Sequence, residues 1–337
     1  MNPRPRGCVP VVHAATSERP DEADTIAAAE AVAEALSRLG YDTAIIALDL
    51  DVTPLVALAG TKPRAIFNLV EAMRGDDRLI AVVPAVLEHL GMAFTGGGAD
   101  AFTATISKTR TKQLLQAAGL PVPVGSIDGS GCDAEARYII KADSQHGSLG
   151  MDAGSVVMGA DCTTEIAKRS RAYATRFFAE AYIPGREFNV AVLAAGNEPE
   201  VLPIQEIIFE DFADDQARIV DYDAKWNPEA AVYHTTPRRF GVERKEPALA
   251  GSLAAIAHDA WLALGLSGYA RIDFRVDDSG APFILEANVN PAITPDAGLV
   301  AAAAEAGLDY DALVGRIVDE AVNRADLRLS AIRHPHA

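Results

Sequence analysis

Three side chains toward the C-terminus, Asp273, Glu286 and Asn288, have the types and spacing to hold a cation, and Arg271 stands beside them. They lie in GYARIDFRVDDSGAPFILEANVNPAIT. This reads as two strands, Ala270 to Val276 and Phe283 to Val289, joined by the turn-forming Asp277-Asp278-Ser279-Gly280. Side chains alternate across a strand, so Arg271 and Asp273 share one face, and Glu286, Asn288 and Asn290 share another. A hairpin register that sets Asp273 opposite Glu286 and Arg271 opposite Asn288 brings two carboxylates together. Facing like charges destabilise a sheet by a few tenths to ~1 kcal/mol, so the pair needs compensation. Two carboxylates and a carboxamide oxygen suit a hard cation. Mg2+ in particular is commonly held by one or two carboxylates together with substrate phosphates.

Upstream residues are suited to those phosphates. Lys141 ends the apolar strand YIIK and is followed by the small-residue loop of Gly147, Ser148 and Gly150. The ammonium supplies a point charge, and glycine lets backbone amides approach phosphate oxygens. Lys108 and Lys112 fall four residues apart in SKTRTK, which by itself reads as a solvated basic stripe on a helix. In EAYIPGREF, a strand with Glu180 that ends in Tyr182 and Ile183 is suited to flank a purine, and Glu187 to accept from ribose hydroxyls. His146 and His234 read as neutral surface histidines by default, with polar roles in the glycine loop and the long loop as the alternative.

The elements that must position these groups follow from periodicity. Residues 9–13 form a short strand, with Pro10 confining it to a strand start or an edge. A helix follows from Asp24 or Thr25 to Gly40, its apolar positions recurring every three or four residues. Strands over Thr43 to Leu48 and Ala65 to Val70, a helix from Asp77 to Leu90 and a short strand at Ala93-Phe94 complete a βαβ alternation. That pattern implies a parallel sheet with helices on its faces. Ala101 to Ala118 reads as one helix. The next pattern is antiparallel: strand 137–142, strand 154–158, helix 163–175 and strand 177–183. From Arg186 a third region begins with a long strand. Val220 to Arg239, polar and holding Pro228 and Pro237, reads as a long loop, the kind that serves as a lid or binding loop. Helices over Pro247 to Leu264 and through most of Ala297 to Ala325 flank the hairpin. The expected organisation is three units, 1–103, 104–184 and 185–337.

Composition narrows the class. A chain of 337 residues exceeds one ordinary core. Its net charge of −17 disfavours a nucleic-acid partner, whose phosphates attract Lys and Arg. Cys8, Cys132 and Cys162 show no disulfide framework or metal spacing and imply free thiols in a reducing compartment. No apolar run approaches the ~18 residues of a membrane span, and the apolar stretch after the basic N-terminus is too short for a secretion signal. The expectation is a cytoplasmic protein that binds small molecules.

Taken in order, the lysine-ended strand, the glycine loop, E-x-x-x-P-G-x-E and R-x-D…L-E-x-N-x-N-P resemble the ATP-grasp fold. More narrowly, the chain resembles the D-alanine–D-alanine ligase family. The likeness runs from about residue 65 to 325 and is carried by IFNLVE, VLEHLGMAFTG, SKTRTKQLLQAAGLPVP, YIIKADSQHGSLGM, EAYIPGREFNVAVL, VDYDAKW, ARIDF and ILEANVNPAIT. It implies an N-terminal parallel α/β, Rossmann-like domain followed by two α+β subdomains that clasp ATP. By this resemblance Lys108, Lys141 and the Gly147-Ser148 loop contact ATP phosphates, Glu187 the ribose, and Glu180 and Ile183 the adenine. Asp273, Glu286 and Asn288 hold two Mg2+ ions, or Mn2+ in their place. Arg271 stabilises a tetrahedral oxyanion, and Lys225 reaches the phosphates from a lid. Glu18 binds the ammonium of the first amino acid, a role that Asp21 or Glu22 could take instead. A homodimer and peptidoglycan-precursor synthesis are also implied.

The likeness breaks at the amino-acid end. The family's glycine loop reads G-S-S-x-G, and its first serine pairs with a lid tyrosine; here Gly147 and Trp226 stand at those places. Asn290 and Ala292 replace a serine and a glycine of N-x-S-P-G-M-T. The serine that binds the second substrate's carboxylate falls near Ala297 or Gly298. A site built to hydrogen-bond a substrate loses heavily without one partner, which points to a second substrate other than plain D-alanine. Two further classes stand beside the ligase. One is a non-catalytic nucleotide-binding module, opposed by the intact Asp273, Glu286, Asn288, Arg271 and Lys141. The other is a nicotinamide oxidoreductase, opposed because no G-x-G-x-x-G follows the first strand.

Overall fold

The computed structural model describes residues 6–15, 20–145, 147–196, 198–213, 216–227 and 229–333. In chain order the first layer comprises β1 (Val11–Ala14), α1 (Pro20–Arg38), β2 (Ile45–Leu48), α2 (Thr53–Thr61), β3 (Phe67–Asn68) and α3 (Val82–His89). Two helices follow, α4 (Ala99–Thr105) and α5 (Lys108–Ala117). Then come β4 (Gly125–Ser126), β5 (Arg137–Ala142), β6 (Val156–Met158), α6 (Cys162–Ala172) and β7 (Phe177–Ala181). The rest is β8 (Arg186–Ala195), β9 (Glu198–Val201), β10 (Gln205–Ile207), α7 (Tyr222–Trp226), α8 (Ala231–His234), β11 (Arg238–Arg239), α9 (Val242–Lys245) and α10 (Pro247–Ala263), then β12 (Tyr269–Val276), β13 (Pro282–Val289), α11 (Gly298–Glu305) and α12 (Tyr310–Arg333).

Three sheets result. The first is parallel, in the order β2-β1-β3, as the βαβ alternation predicts. The second is antiparallel, β4-β7-β5-β6, with α6 packed on it through Cys162 and Ile166 against Ile140, Phe177 and Ala179. The third runs β11-β10-β8-β12-β13, with β9 paired to β8. Period-two alternation explains its two faces. Phe188, Val190, Ile272, Phe274 and Ile284 turn one way onto Leu253, Ala257 and Trp261 of α10. Burying each of the larger apolar side chains stabilises by roughly 1.5–3 kcal/mol. The intervening Glu187, Asn189, Arg271, Asp273 and Arg275 occupy alternate positions in the same strands. The C-terminal helices return to the first layer, where Leu299, Leu313, Val314 and Ile317 share a core with Val32, Leu36 and Phe67. Among the described residues no helix is long and apolar enough to cross a membrane.

Several elements differ from the sequence reading. The helix expected over Ala101 to Ala118 is two helices, because Ser107 is extended and its hydroxyl caps the second by accepting from Arg110 N. The helix expected from Asp77 is a 3-10 turn at Asp77–Leu79 followed by α3. Gly307 and the break before Tyr310 likewise divide the last helical stretch. The long loop contains α7, α8 and β11, short elements that lack enough residues to display a period.

Candidate active site

The hairpin carries the centre of the site, in the register expected from its charges: Asp273 opposite Glu286 and Arg271 opposite Asn288, with an irregularity between Asp273 and Phe274. On its other side β12 pairs with β8, which sets Asn189 opposite Asp273 and Glu187 opposite Arg275. Arg271 clamps Asp273 through Nε to Oδ1 at 2.7 Å and Nη2 to Oδ2 at 2.9 Å. Asn189 Nδ2 donates to Oδ1 at 2.8 Å, and Asn288 Nδ2 to Oδ2 at 3.0 Å. Burial works against the Arg271 charge, yet the adjoining Asp273 carboxylate, with Glu286 and Glu187 beyond it, holds the guanidinium above its ordinary pKa. Asn189 and Arg275 went unremarked in the sequence. Their signal was the period of two: Asn189 follows Glu187 by two, and Arg275 follows Asp273 by two.

The lysines lie across from this hairpin. Lys108 Nζ is 3.1 Å from Glu286 Oε1 and donates to the Gln145 carbonyl at 2.5 Å. Lys141 Nζ donates to Glu180 Oε1 at 2.7 Å. Lys112 is not the solvated residue that its spacing suggests. It is buried, 2.6 Å from Glu180 Oε2 and 2.9 Å from the Leu285 carbonyl. Burial opposes ionisation of Glu180, but the two lysines outweigh it and hold the carboxyl below its ordinary pKa. Asp143, also overlooked, joins the end of β5 to the start of α5. It accepts from Thr109 N at 2.9 Å, from the Ser107 hydroxyl at 2.9 Å and from Arg176. Desolvation raises the pKa of Asp143, and these donors more than reverse it.

The glycine loop bends through left-handed backbone at Gly147 (φ 70°), Ser148 (φ 64°) and Gly150 (φ 65°). At Gly150 a Cβ would also lie 2.9 Å from the Tyr173 ring, so glycine is required there. The Ser148 hydroxyl donates to the Val220 carbonyl at 3.1 Å, and Tyr222 N donates to the Met151 carbonyl at 3.3 Å, so the loop meets the segment that leads into α7. Lys225, on α7, faces the same space. Burial lowers its pKa, against the pull of the Glu286 carboxylate. His234, exposed at the end of α8, also lines it. The Trp226 side chain, His146 and Glu18 fall outside the described residues; Asp21 and Glu22 are described in backbone only.

All of this encloses a cavity of about 650 Å³, within the range of small-molecule sites. One end is an apolar slot of Ile139, Ala181, Ile183 and Leu285 beside Tyr182, with Glu187 at its edge. Glu187 pairs with Arg275 at 3.2 Å, and the Tyr182 hydroxyl accepts from Arg218 N at 3.0 Å. The other end is lined by Asp24, Glu71, Asp296, Ala292 and Gly298. Burial and the neighbouring Asp296 raise the Asp24 pKa. Asn290 lines this end too, but its amide is engaged by backbone: Oδ1 accepts from Gly97 N at 3.1 Å, and Nδ2 donates to the Asn68 carbonyl at 3.2 Å.

Hard oxygen donors dominate the centre. Asp273 and Glu286 offer two carboxylates, enough for Mg2+ when phosphates complete its shell. Among the described residues no group of three or more His, Cys, Asp and Glu could hold a metal without such help. The donor set therefore fits a magnesium–phosphate complex better than a free-standing metal site.

Residues 138–319 match the family described as D-ala D-ala ligase C-terminus. The D-alanine–D-alanine ligase of Caulobacter sp. (strain K31) is 33% identical over 302 residues, covering 87% of this chain and 88% of its own. That of Halorhodospira halophila is 31% identical over 327 residues, covering 95% and 98%. In three dimensions the chain is similar to the crystal structure of D-alanine–D-alanine ligase from Bacillus anthracis complexed with ATP. That match has a TM-score of 0.73 and 19% identity over 96% of this chain and 99% of that one.

Proposed function

The chain belongs to the D-alanine–D-alanine ligase family, ATP-dependent enzymes with the ATP-grasp fold, and we propose that its cavity divides the ligase reaction between two ends. The apolar slot takes adenine, with Glu180 and Ile183 bordering the ring and Glu187 at the ribose. Lys108, Lys141 and the backbone of Gly147 and Ser148 take the phosphates. Asp273, Glu286 and Asn288 hold two Mg2+ ions, which neutralise phosphate charge and align the γ-phosphoryl group when bound. What supports this most is the convergence on Asp273 of Arg271, Asn189 and Asn288, with Lys108 reaching Glu286 from the opposite side.

The carboxylate of the first amino acid attacks the γ-phosphorus, giving an acyl phosphate and ADP. The amine of the second attacks the acyl carbon, and the tetrahedral intermediate collapses with loss of phosphate. Arg271 gives up part of its clamp on Asp273 and donates to the oxyanion, where one fixed donor contributes about 3–4 kcal/mol. Lys225 and the lid exclude water that would hydrolyse the acyl phosphate. Glu18 receives the first ammonium group. A cytoplasmic homodimer making peptidoglycan precursor completes the proposal.

One observation favours a second reading, a relative with a different amine acceptor. The Asn290 amide is held by backbone at both its oxygen and its nitrogen, and Ala292, Ala297 and Gly298 offer no hydroxyl for an acceptor carboxylate. ADP release across pairs of D- and L-amino acids, with mass detection of product, separates the readings. Turnover of D-alanine alone at a rate typical of enzymes, ~1–1000 per second, eliminates the altered acceptor.

A further inference from the structure

A lysine that this chemistry does not use sits directly behind the phosphate end of the cavity. Lys112 is 7% exposed. Its ammonium has three acceptors around it: Glu180 Oε2 at 2.6 Å, the Leu285 carbonyl at 2.9 Å and the Ile284 carbonyl at 3.3 Å. Two of its N–H groups donate to those carbonyls, and Glu180 Oε2 faces it as an ion pair. Glu180 is wholly buried and holds Lys141 on its other oxygen at 2.7 Å. One buried carboxylate thus stands between two lysines. Desolvating ions is costly, and a brace alone is served at least as well by apolar side chains, so the surplus positive charge calls for a chemical reason.

We propose that Lys112 is the resident counter-ion of Glu180, a positioning residue that frees Lys141 to turn from Glu180 to a phosphate oxygen. The inference rests on the reading that nucleotide phosphates lie at Lys141. Without Lys112, Glu180 and Lys141 form a closed neutral pair. Engaging a phosphate then strands a buried carboxylate, which is strongly unfavourable. With Lys112 present, Glu180 keeps its partner throughout. The same ammonium holds the two carbonyls that precede Glu286, so the counter-ion is fixed by the strand that carries the metal carboxylate.

The test is calorimetric binding of ADP with Mg2+, in two buffers of different ionisation enthalpy, to the full chain and to Lys112→Met, Lys112→Gln and Lys112→Arg. Lys112→Met is expected to bind ADP at least ~10-fold more weakly, equivalent to ~1.4 kcal/mol. Lys112→Arg, which keeps the charge, stays within a few-fold of the unaltered protein. Lys112→Met is also expected to take up about one proton per ADP bound near pH 7, because a stranded Glu180 neutralises, and the unaltered protein takes up fewer; a merely structural lysine gives no such difference. Unchanged affinity in Lys112→Met, or weaker binding without added proton uptake, overturns the inference. Where Lys112→Met fails to fold, Lys112→Gln, which keeps N–H donors without the charge, is compared directly with the unaltered protein. A ~10-fold loss with proton uptake then supports the inference, and affinity within a few-fold overturns it. Absence of ADP binding by the unaltered protein overturns the nucleotide-site reading itself and takes the inference with it.

Discussion

Changing Asp273 to Asn exchanges one carboxylate oxygen for an NH2 group and leaves the volume almost unaltered. Oδ1 accepts from Arg271 Nε and Asn189 Nδ2, while Oδ2 accepts from Arg271 Nη2 and Asn288 Nδ2. Whichever oxygen is lost, two donors then face a donor. Hydrogen bonds to charged groups contribute about 1.5–3 kcal/mol each, so losing two costs roughly 3–6 kcal/mol. Asn288 can flip its amide and accept from the new NH2, recovering about 1 kcal/mol. Arg271 also retains the more distant Glu286 and Glu187 charges. A net destabilisation of roughly 2–4 kcal/mol follows. The flip turns the Asn288 oxygen away from the cation position, and one of two carboxylates is gone. Turnover is therefore expected to fall by at least ~100-fold, equivalent to about 2.7 kcal/mol of transition-state stabilisation. Ligation is followed by product mass at saturating Mg2+ and ATP, and stability by calorimetric melting without ligand. An Asp273→Asn protein that melts at the unaltered temperature and turns over within about fivefold of the parent refutes both the clamp and the metal assignment.

Replacing Ser148 by Ala removes the bond to the Val220 carbonyl, worth ~0.5–1.5 kcal/mol. ADP release unaccompanied by product is expected to rise by ~2–10-fold. Ser148→Gly suits the φ of 64° better but should leak equally, and a tight Gly variant assigns the effect to backbone instead. In Gly96→Ala the new Cβ would lie 1.9 Å from Asn290 Oδ1, at a φ of 82°. Displacing Asn290 and straining the backbone should together cost roughly 2–4 kcal/mol, and an unchanged melting temperature contradicts that packing. Asp24 has a folded pKa above its unfolded value, so its ionised form is disfavoured in the fold. The penalty is absent below the unfolded pKa and complete above the folded one. Asp24→Asn should therefore raise the melting temperature at pH 7 and lose that gain toward pH 3; a constant difference across this range removes the electrostatic explanation.

The hairpin was legible because three constraints agreed: alternation, a short polar turn and a pair of carboxylates that needed compensation. Lys112 was misread because i,i+4 spacing identifies neighbours on a helix and says nothing of what packs there. Only the arrival of β7 and β13 against α5 buries it. The break at Ser107 left a trace, a capping serine ahead of a basic turn. Asn189 and Arg275 carried a period-two signal, although their partners lie across a strand pairing that spans 84 residues of sequence. Asn290 was placed at the substrate from its position in the motif. Its hydrogen bonds go to Asn68 and Gly97, residues far away in the chain.

The acyl-phosphate route is tested most directly by supplying the first amino acid with heavy oxygen in its carboxylate and analysing the phosphate released with ATP and Mg2+. Attack of that carboxylate on the γ-phosphorus, followed by aminolysis at carbon, transfers one labelled oxygen to each phosphate as the amide forms. Labelled phosphate in step with amide product is the result expected here. Unlabelled phosphate, or ADP release that ignores the amino acids supplied, contradicts the assignment of the site as a carboxylate–amine ligase.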